Sequence, residues 1–145
     1  MNLVGAPNLK KWGNFVRRLS RLLYEETIVY LLFDFLVEYG LVETETFAQI
    51  HKIDSQVKEI KAALNKLTSH GLLTMIDMKL EKFKSDYAER VGLKAEEVKC
   101  EGNIKVQVYY FHVDLKFILK ARLYRLAKQF EDRIRKNNQE DGREY

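Results

Sequence analysis

The chain contains one cysteine and one proline among 145 residues. The lone Cys100 excludes a disulfide framework and any zinc site built from several thiolates, and it suits a reducing compartment. Pro7 lies in residues 1–8, which show little pattern and read as a flexible lead. Seven glycines form neither a phosphate-binding loop nor a dinucleotide fingerprint. Charges interrupt every apolar run, so no segment reads as a bilayer span, and no membrane partner is expected. His51, His70 and His112 fall with Cys100 on four different predicted elements without short ligand spacing, so no metal site is expected. Ser69 and His70 are neighbours at a helix end with no carboxylate to orient them. No cofactor and no catalytic residue is expected, and the chain reads as a non-enzyme.

What is present is an ordinary globular composition, 46% hydrophobic and 32% charged. The length suits one domain, large enough to bury roughly two thirds of its unfolded surface. The formal net charge of +4 is unevenly placed. Residues 1–24 hold five basic groups and no acid, and residues 114–136 hold eight basic groups against three acids. Residues 25–113 carry eleven basic groups against fifteen acids, so the positive surplus lies on the terminal segments.

The pattern along the chain predicts helices first. Trp12, Phe15, Val16, Leu19, Leu22 and Leu23 share a helical face from Leu9 onward, with basic groups elsewhere. A second helix carries Ile28, Leu31, Leu32, Phe35, Leu36 and Tyr39 and ends at Gly40. Thr44 is the expected cap of a short third helix with Phe47, Ala48 and Ile50. Asp54 or Ser55 is the expected cap of a fourth, with Val57, Ile60, Leu64 and Leu67 at helical spacing and Gly71 at its end. A short strand at 72–76 and an alternating strand at 104–111 follow. The 79–103 connection far exceeds the usual hairpin loop of about two to five residues. Within it, Phe83, Tyr87 and Val91 at i, i+4 and i+8 predict a short helix decorating the connection. Asp114 is the expected cap of a long helix to about Asn138, striped by Leu115, Ile118, Leu119, Leu126, Phe130 and Ile134.

Helices followed by a β-hairpin is the order of a winged helix-turn-helix. The expected fold class is therefore α+β, mostly helical, a winged helix-turn-helix with an extra N-terminal amphipathic helix, a long wing insertion and a long C-terminal helix. The expected domain spans 9–136, with a core of about 24–122, a wing insertion at 79–103 and a polar tail at 137–145.

Gln56, Lys58, Lys61, Asn65 and Lys66 on the fourth helix are of types that contact phosphates or adenine. Three Lys there face two acids with no Arg, so an ordinary solvated face or a protein-binding face stays open. The N-terminal helix, with Lys10, Lys11, Arg17, Arg18 and Arg21, supports three readings. It could lie on an anionic membrane, serve as a presequence, or pack on the domain and present its basic face. It runs into the core without a linker or small-residue cleavage site, which favours packing. The last helix is a positive rod for phosphates or acidic protein, and local pairs such as Glu131 with Arg135 are expected along it. Its apolar stripe outruns a small core, so Leu126, Phe130 and Ile134 are candidates for a partner-helix interface.

Three segments, "LKKWGNFVRRLSRLLYEE", "VKEIKAALNKLTSHGLLTMI" and "VYYFHVDLKFILKARLYRLAKQFEDRI", resemble in their order the N-terminal domain of the alpha subunit of transcription factor IIE and its archaeal homologue. The likeness covers roughly 9–134. It implies an extended winged helix that docks on the RNA polymerase clamp near melted promoter DNA and assists opening, without catalysis. It further implies weak, largely non-specific contact with promoter DNA, a possible beta-type second subunit, and a nuclear location (cytoplasmic if archaeal). The family usually carries a four-Cys zinc ribbon after this domain, so this is either part of a longer chain or a divergent form. The 79–103 insertion also exceeds the family's wing. Expected nucleic-acid or polymerase contacts are Lys10, Lys11, Arg17, Arg18, Arg21, Lys58, Lys61, Lys66 and Tyr109. Two alternatives are a sequence-specific winged-helix regulator and a winged-helix adaptor that binds only proteins.

Overall fold

Gly13 sets a close contact between the first two helices. A computed structural model describes residues 9–98 and 104–143, with side chains from 12 to 98 and from 104 to 138. Helix α1 (Leu9–Leu23) turns Val16 and Leu19 inward and lies against α2 (Thr27–Tyr39), with Gly13 at the crossing. A Cβ added at Gly13 would lie 2.8 Å from Val37 Cγ1 of α2, so the missing side chain allows the close approach.

Helix α2 is apolar on most sides, and Val29, Leu32, Phe33, Phe35 and Leu36 are all buried, which makes it the central helix. It ends at Gly40, whose φ of 83° is the left-handed conformation that glycine adopts without steric cost, and the Gly40 amide bonds to the Leu36 carbonyl. Helix α3 (Thr44–Ile50) follows. Its cap is Glu43 rather than the expected Thr44. The buried Glu43 carboxylate accepts from the Glu45 and Thr46 amides at 3.0 and 2.9 Å, and a carboxylate there also meets the positive end of the helix dipole. Asp54 and Ser55, the expected caps of α4, instead form a 3-10 turn over Asp54–Gln56, and α4 runs over Val57–Ser69. Neither residue is therefore free to act as a simple helix cap.

Strand β1 (Leu73–Lys79) pairs antiparallel with β2 (Lys105–Phe111), from Leu73 opposite Phe111 to Lys79 opposite Lys105. Val42, between α2 and α3, adds a bridge to Tyr109 through reciprocal backbone bonds of 3.0 and 2.9 Å. β1 outruns the predicted strand by three residues at its end because Asp77, Met78 and Lys79 also find partners across the sheet.

The predicted wing insertion is corrected in kind. Helix α5 (Leu80–Val91) starts directly after β1 and is built into the core rather than decorating its rim. Phe83, Tyr87 and Ala88 are buried, and Tyr87 stacks on Phe83 and on Phe35 of α2, with ring centroids 5.4 and 6.4 Å apart. Arg90 donates to the Tyr39 carbonyl at 3.0 Å, tying the end of α5 to the end of α2. The period-four aromatics created a face too apolar for solvent, and the aromatic centre of the domain covers it. Residues 99–103, with Cys100, lie outside the described residues, as does the predicted lead at 1–8.

Helix α6 (Leu115–Arg143) is 29 residues long and runs through most of the segment expected to be a polar tail. Most residue types after Asn137 are compatible with helix, so the element continues. Asp114 stands just before it, and its amide donates to His112 Nδ1 at 3.1 Å. The described residues make an α+β arrangement of six α-helices and one two-stranded antiparallel sheet.

Candidate nucleic-acid and partner interface

Among the described basic side chains of α1, Arg17 and Arg21 meet acids of α2. Arg21 makes a bidentate bond to the Asp34 carboxylate at 2.9 and 2.8 Å, and its guanidinium lies 5.2 Å from the Tyr30 ring centre. The Asp34 hydrogen bond holds the Arg21 guanidinium above its ordinary pKa. Arg17 sits 3.7 Å from both Asp34 and Glu38. Its Nε is buried without a hydrogen bond, and charge attraction to the Asp34 oxygen 3.7 Å away is what the structure gives that atom. Both residues, expected as nucleic-acid or polymerase contacts, face acids of the neighbouring helix. Arg18 is exposed and makes no ion pair among the described residues. The Lys10 and Lys11 side chains lie outside the described residues.

Helix α4 divides cleanly. Ile60, Leu64 and Leu67 are buried, while Lys58, Lys61 and Asn65 are exposed on a common outer face. Lys58 and Lys61 make no ion pair among the described residues. Lys66 does. Its ammonium lies 2.5 Å from a Glu26 carboxylate oxygen and 5.3 Å from the centre of the Tyr24 ring. That bond holds the Glu26 carboxyl below the usual carboxylate range. Lys66, expected as a nucleic-acid or polymerase contact, thus also clamps α4 to the start of α2. Beside the clamp is a groove of about 380 Å³, lined by Ile28, Val29, Ala62 and Ala63 with Glu59 at its edge.

Where α1, α4 and α6 meet, Tyr24 and His70 stack with ring centroids 5.7 Å apart and their polar atoms 2.7 Å apart. With His70 neutral and its proton on Nε2, the Tyr24 hydroxyl donates to Nδ1. Arg122 of α6 donates to the His70 carbonyl at 3.1 Å. Burial first, then the positive charges of Arg122 and Lys66, holds the His70 pKa below its ordinary value.

Tyr109 is corrected from contact to core. It is buried at 5% exposure because the Val42 bridge covers the strand there, and burial pushes its phenol pKa up. Its neighbours Tyr110 and Phe111 are buried with it, and Phe111 packs on Phe33.

Helix α6 leaves the domain after its first turns. Leu115 and Leu119 are fully buried, and Lys116 lies 4.0 Å from the centre of the Trp12 ring, joining α6 to α1. Leu126 is half-buried, while Phe130 and Ile134 stand 55% and 57% exposed on the continuation of the same stripe. The three candidate partner contacts thus form a run that loses cover toward its far end. Lys120, Arg125, Lys128, Arg133, Arg135 and Lys136 are exposed along the rod, and none makes an ion pair among the described residues. The expected Glu131–Arg135 pair is not formed, since solvent outcompetes a single exposed pair. Two exposed aromatics, Phe117 and Tyr124, were missing from the candidates. Their seven-residue spacing on the side away from Leu115 and Leu119 was the sequence signal for them.

Among the described residues, no group of three or more His, Cys, Asp or Glu is placed to hold a metal ion. No described helix is long and apolar enough to cross a membrane. Comparisons with protein-family models, with curated proteins and with solved structures give no match.

Proposed function

We propose that the chain is a non-catalytic, extended winged-helix domain that docks on RNA polymerase and promoter DNA and assists promoter opening. Helices α2, α3 and α4 followed by the β1–β2 pair, with Val42 bridged to its edge, support the winged-helix reading. The observation that carries the functional reading is the set of cations that make no ion pair among the described residues, Lys58 and Lys61 on α4 and six more along α6. Exposed cations that form no ion pair are available to phosphates, while the absence of Arg on α4 argues for contact without base reading. Phe130 and Ile134 offer a surface for a second subunit. The location is the nucleus, or the cytoplasm of an archaeal cell.

The test is duplex binding across a salt series, together with co-purification from the source organism. Affinity for unrelated duplexes should be similar, with log K falling by about 0.9 per phosphate contact for each log unit of salt. Polymerase should co-purify. A single preferred palindromic site would favour a sequence-specific regulator instead. The groove between α2 and α4 supports a second reading, an adaptor that binds only proteins, because its apolar floor lies on the helix that would face DNA. No binding to duplex at low salt and no association with polymerase would favour that reading.

A further inference from the structure

We propose that the outward face of α6 is a binding platform for single-stranded nucleic acid, with Phe117 and Tyr124 as base-stacking rings and Lys120 and Lys128 as phosphate contacts. The inference rests on the nucleic-acid reading above, but not on α4 or on polymerase.

Leu115 and Leu119 are fully buried and fix which side of α6 meets the domain. Phe117 lies two residues from each of them, which a helix of 3.6 residues per turn places on the far side. It is 74% exposed, and Tyr124, two turns on, is 69% exposed. Lys120 lies between the rings on that face, and Lys128 lies one turn beyond Tyr124. Farther along, the same face carries Glu131, Asp132 and Arg135, with both acids one turn beyond Lys128. From Phe117 to Lys128 this face alternates rings and cations without an acid.

Exposed rings alone would suit several partners, and the charge narrows the choice. A polyanion satisfies Lys120 and Lys128, and a base satisfies the rings, because every base has a face that stacks on an aromatic side chain. The spacing then selects the strand state. Rings seven residues apart stand about 10 Å apart along a helix axis. Duplex bases are already stacked on one another and present only their edges in the grooves. A single strand can turn individual bases onto separate rings. The run of Leu126, Phe130 and Ile134 continues the inward stripe, so a partner helix docking there would leave this face clear.

The experiment compares the full chain with three double variants, F117A/Y124A, K120A/K128A and K58A/K61A. Binding to a labelled thymidine oligomer of about 16 nucleotides and to a duplex of equal length is read by fluorescence anisotropy. Thermal unfolding by circular dichroism should match the parent for all three, since the replaced side chains are exposed. F117A/Y124A should lose roughly ten-fold or more in affinity for the oligomer while duplex affinity stays within about two-fold. K120A/K128A should weaken oligomer binding and flatten its salt dependence. K58A/K61A should act mainly on the duplex. A conservative F117Y/Y124F variant should retain oligomer binding. Oligomer binding by F117A/Y124A as tight as the parent's would overturn the proposal, as would a parent that prefers duplex. Loss of polymerase association in F117A/Y124A with unchanged oligomer binding would make this a protein-docking face, and would also overturn it. If only the oligomer arm fails, the proposed function stands; if duplex and polymerase binding fail as well, both fall.

Discussion

Gly13 of α1 lies so close to Val37 of α2 that an added Cβ would sit 2.8 Å from Val37 Cγ1. In an open helix, Gly to Ala stabilises by roughly 0.5–1 kcal/mol because Gly gives up more freedom on folding. Here the methyl meets a stiff branched side chain, and overpacking costs typically about 1–3 kcal/mol. Gly13→Ala is therefore expected to destabilise the domain by about 1 kcal/mol. Val37→Ala opens the space, so the double variant should be less destabilised than the two single effects combined. Urea unfolding of all four proteins measures this. A higher midpoint for Gly13→Ala alone would show that the helices do not cross there.

The pairing of Arg17 and Arg21 with α2 separates basic residues that the sequence presents as equals. The Arg21–Asp34 pair is partly exposed, with side chains 44% and 35% accessible, so screening limits it to about 1 kcal/mol or less. Arg18, Lys58 and Lys61 have no such partners among the described residues. Neutralising each of these three to Gln should lower the salt slope of duplex binding by up to about 0.9, for one lost phosphate contact. Arg21→Gln should leave that slope unchanged and lower the melting temperature slightly. Equal slopes for all four variants would mean the ion pairs do not govern which cations meet DNA.

Stability should form a plateau bounded by histidine below and tyrosine above. Burial depresses the pKa of His70 and His51, and Arg122 and Lys66 add to the effect at His70. Their neutral forms are favoured in the fold, so the unfolded chain binds more protons below about pH 6.5. Their contribution is complete above that pH and falls as pH drops toward the folded values. The tyrosines run the other way. Burial raises Tyr24, Tyr109 and Tyr110 and pushes Tyr87 up to about 12. Their protonated forms are favoured in the fold, so this contribution is complete below about pH 10 and falls as pH rises through the folded values. Melting temperature against pH checks both edges. His70→Gln should flatten part of the acid edge, and an unchanged acid edge would assign the loss to other groups.

The helices were readable because their signals are local. Gly40, Gly71 and Gly92 mark helix ends or the turns after them and all take positive φ. The alternation in β2 placed that strand within one residue of its observed start. The missed features depend on what lies across space. Nothing near Arg21 in sequence says that Asp34 sits opposite it, and nothing near Lys66 announces Glu26, forty positions away. Tyr109 read as a surface aromatic because the bridge that covers it comes from Val42, on the far side of α3 and α4. At α5 the local pattern gave the helix but not its depth. An apolar face of three residues suits a decorating helix as well as a core one until Phe35 is seen against Tyr87.

That depth gives α5 a consequence which a surface wing would not have. Phe83 is fully buried, and Tyr87, 2% exposed, stacks between it and Phe35. Truncating a buried Phe typically costs about 3–5 kcal/mol, through lost burial and the cavity left behind. Marginal domains have only about 5–15 kcal/mol in total. Phe83→Ala should therefore remove a large share of the stability, with a much lower urea midpoint. Glu81→Ala, on the exposed first turn of the same helix, should change it by about 0.5 kcal/mol or less. Hydrogen exchange gives the complementary reading, since amides in a core helix open with the whole domain and those in a loosely attached wing open on their own. In the parent protein, protection of α5 should match that of α2. Fast exchange confined to α5, with a Phe83→Ala variant as stable as the parent, would return the helix to the rim of the domain.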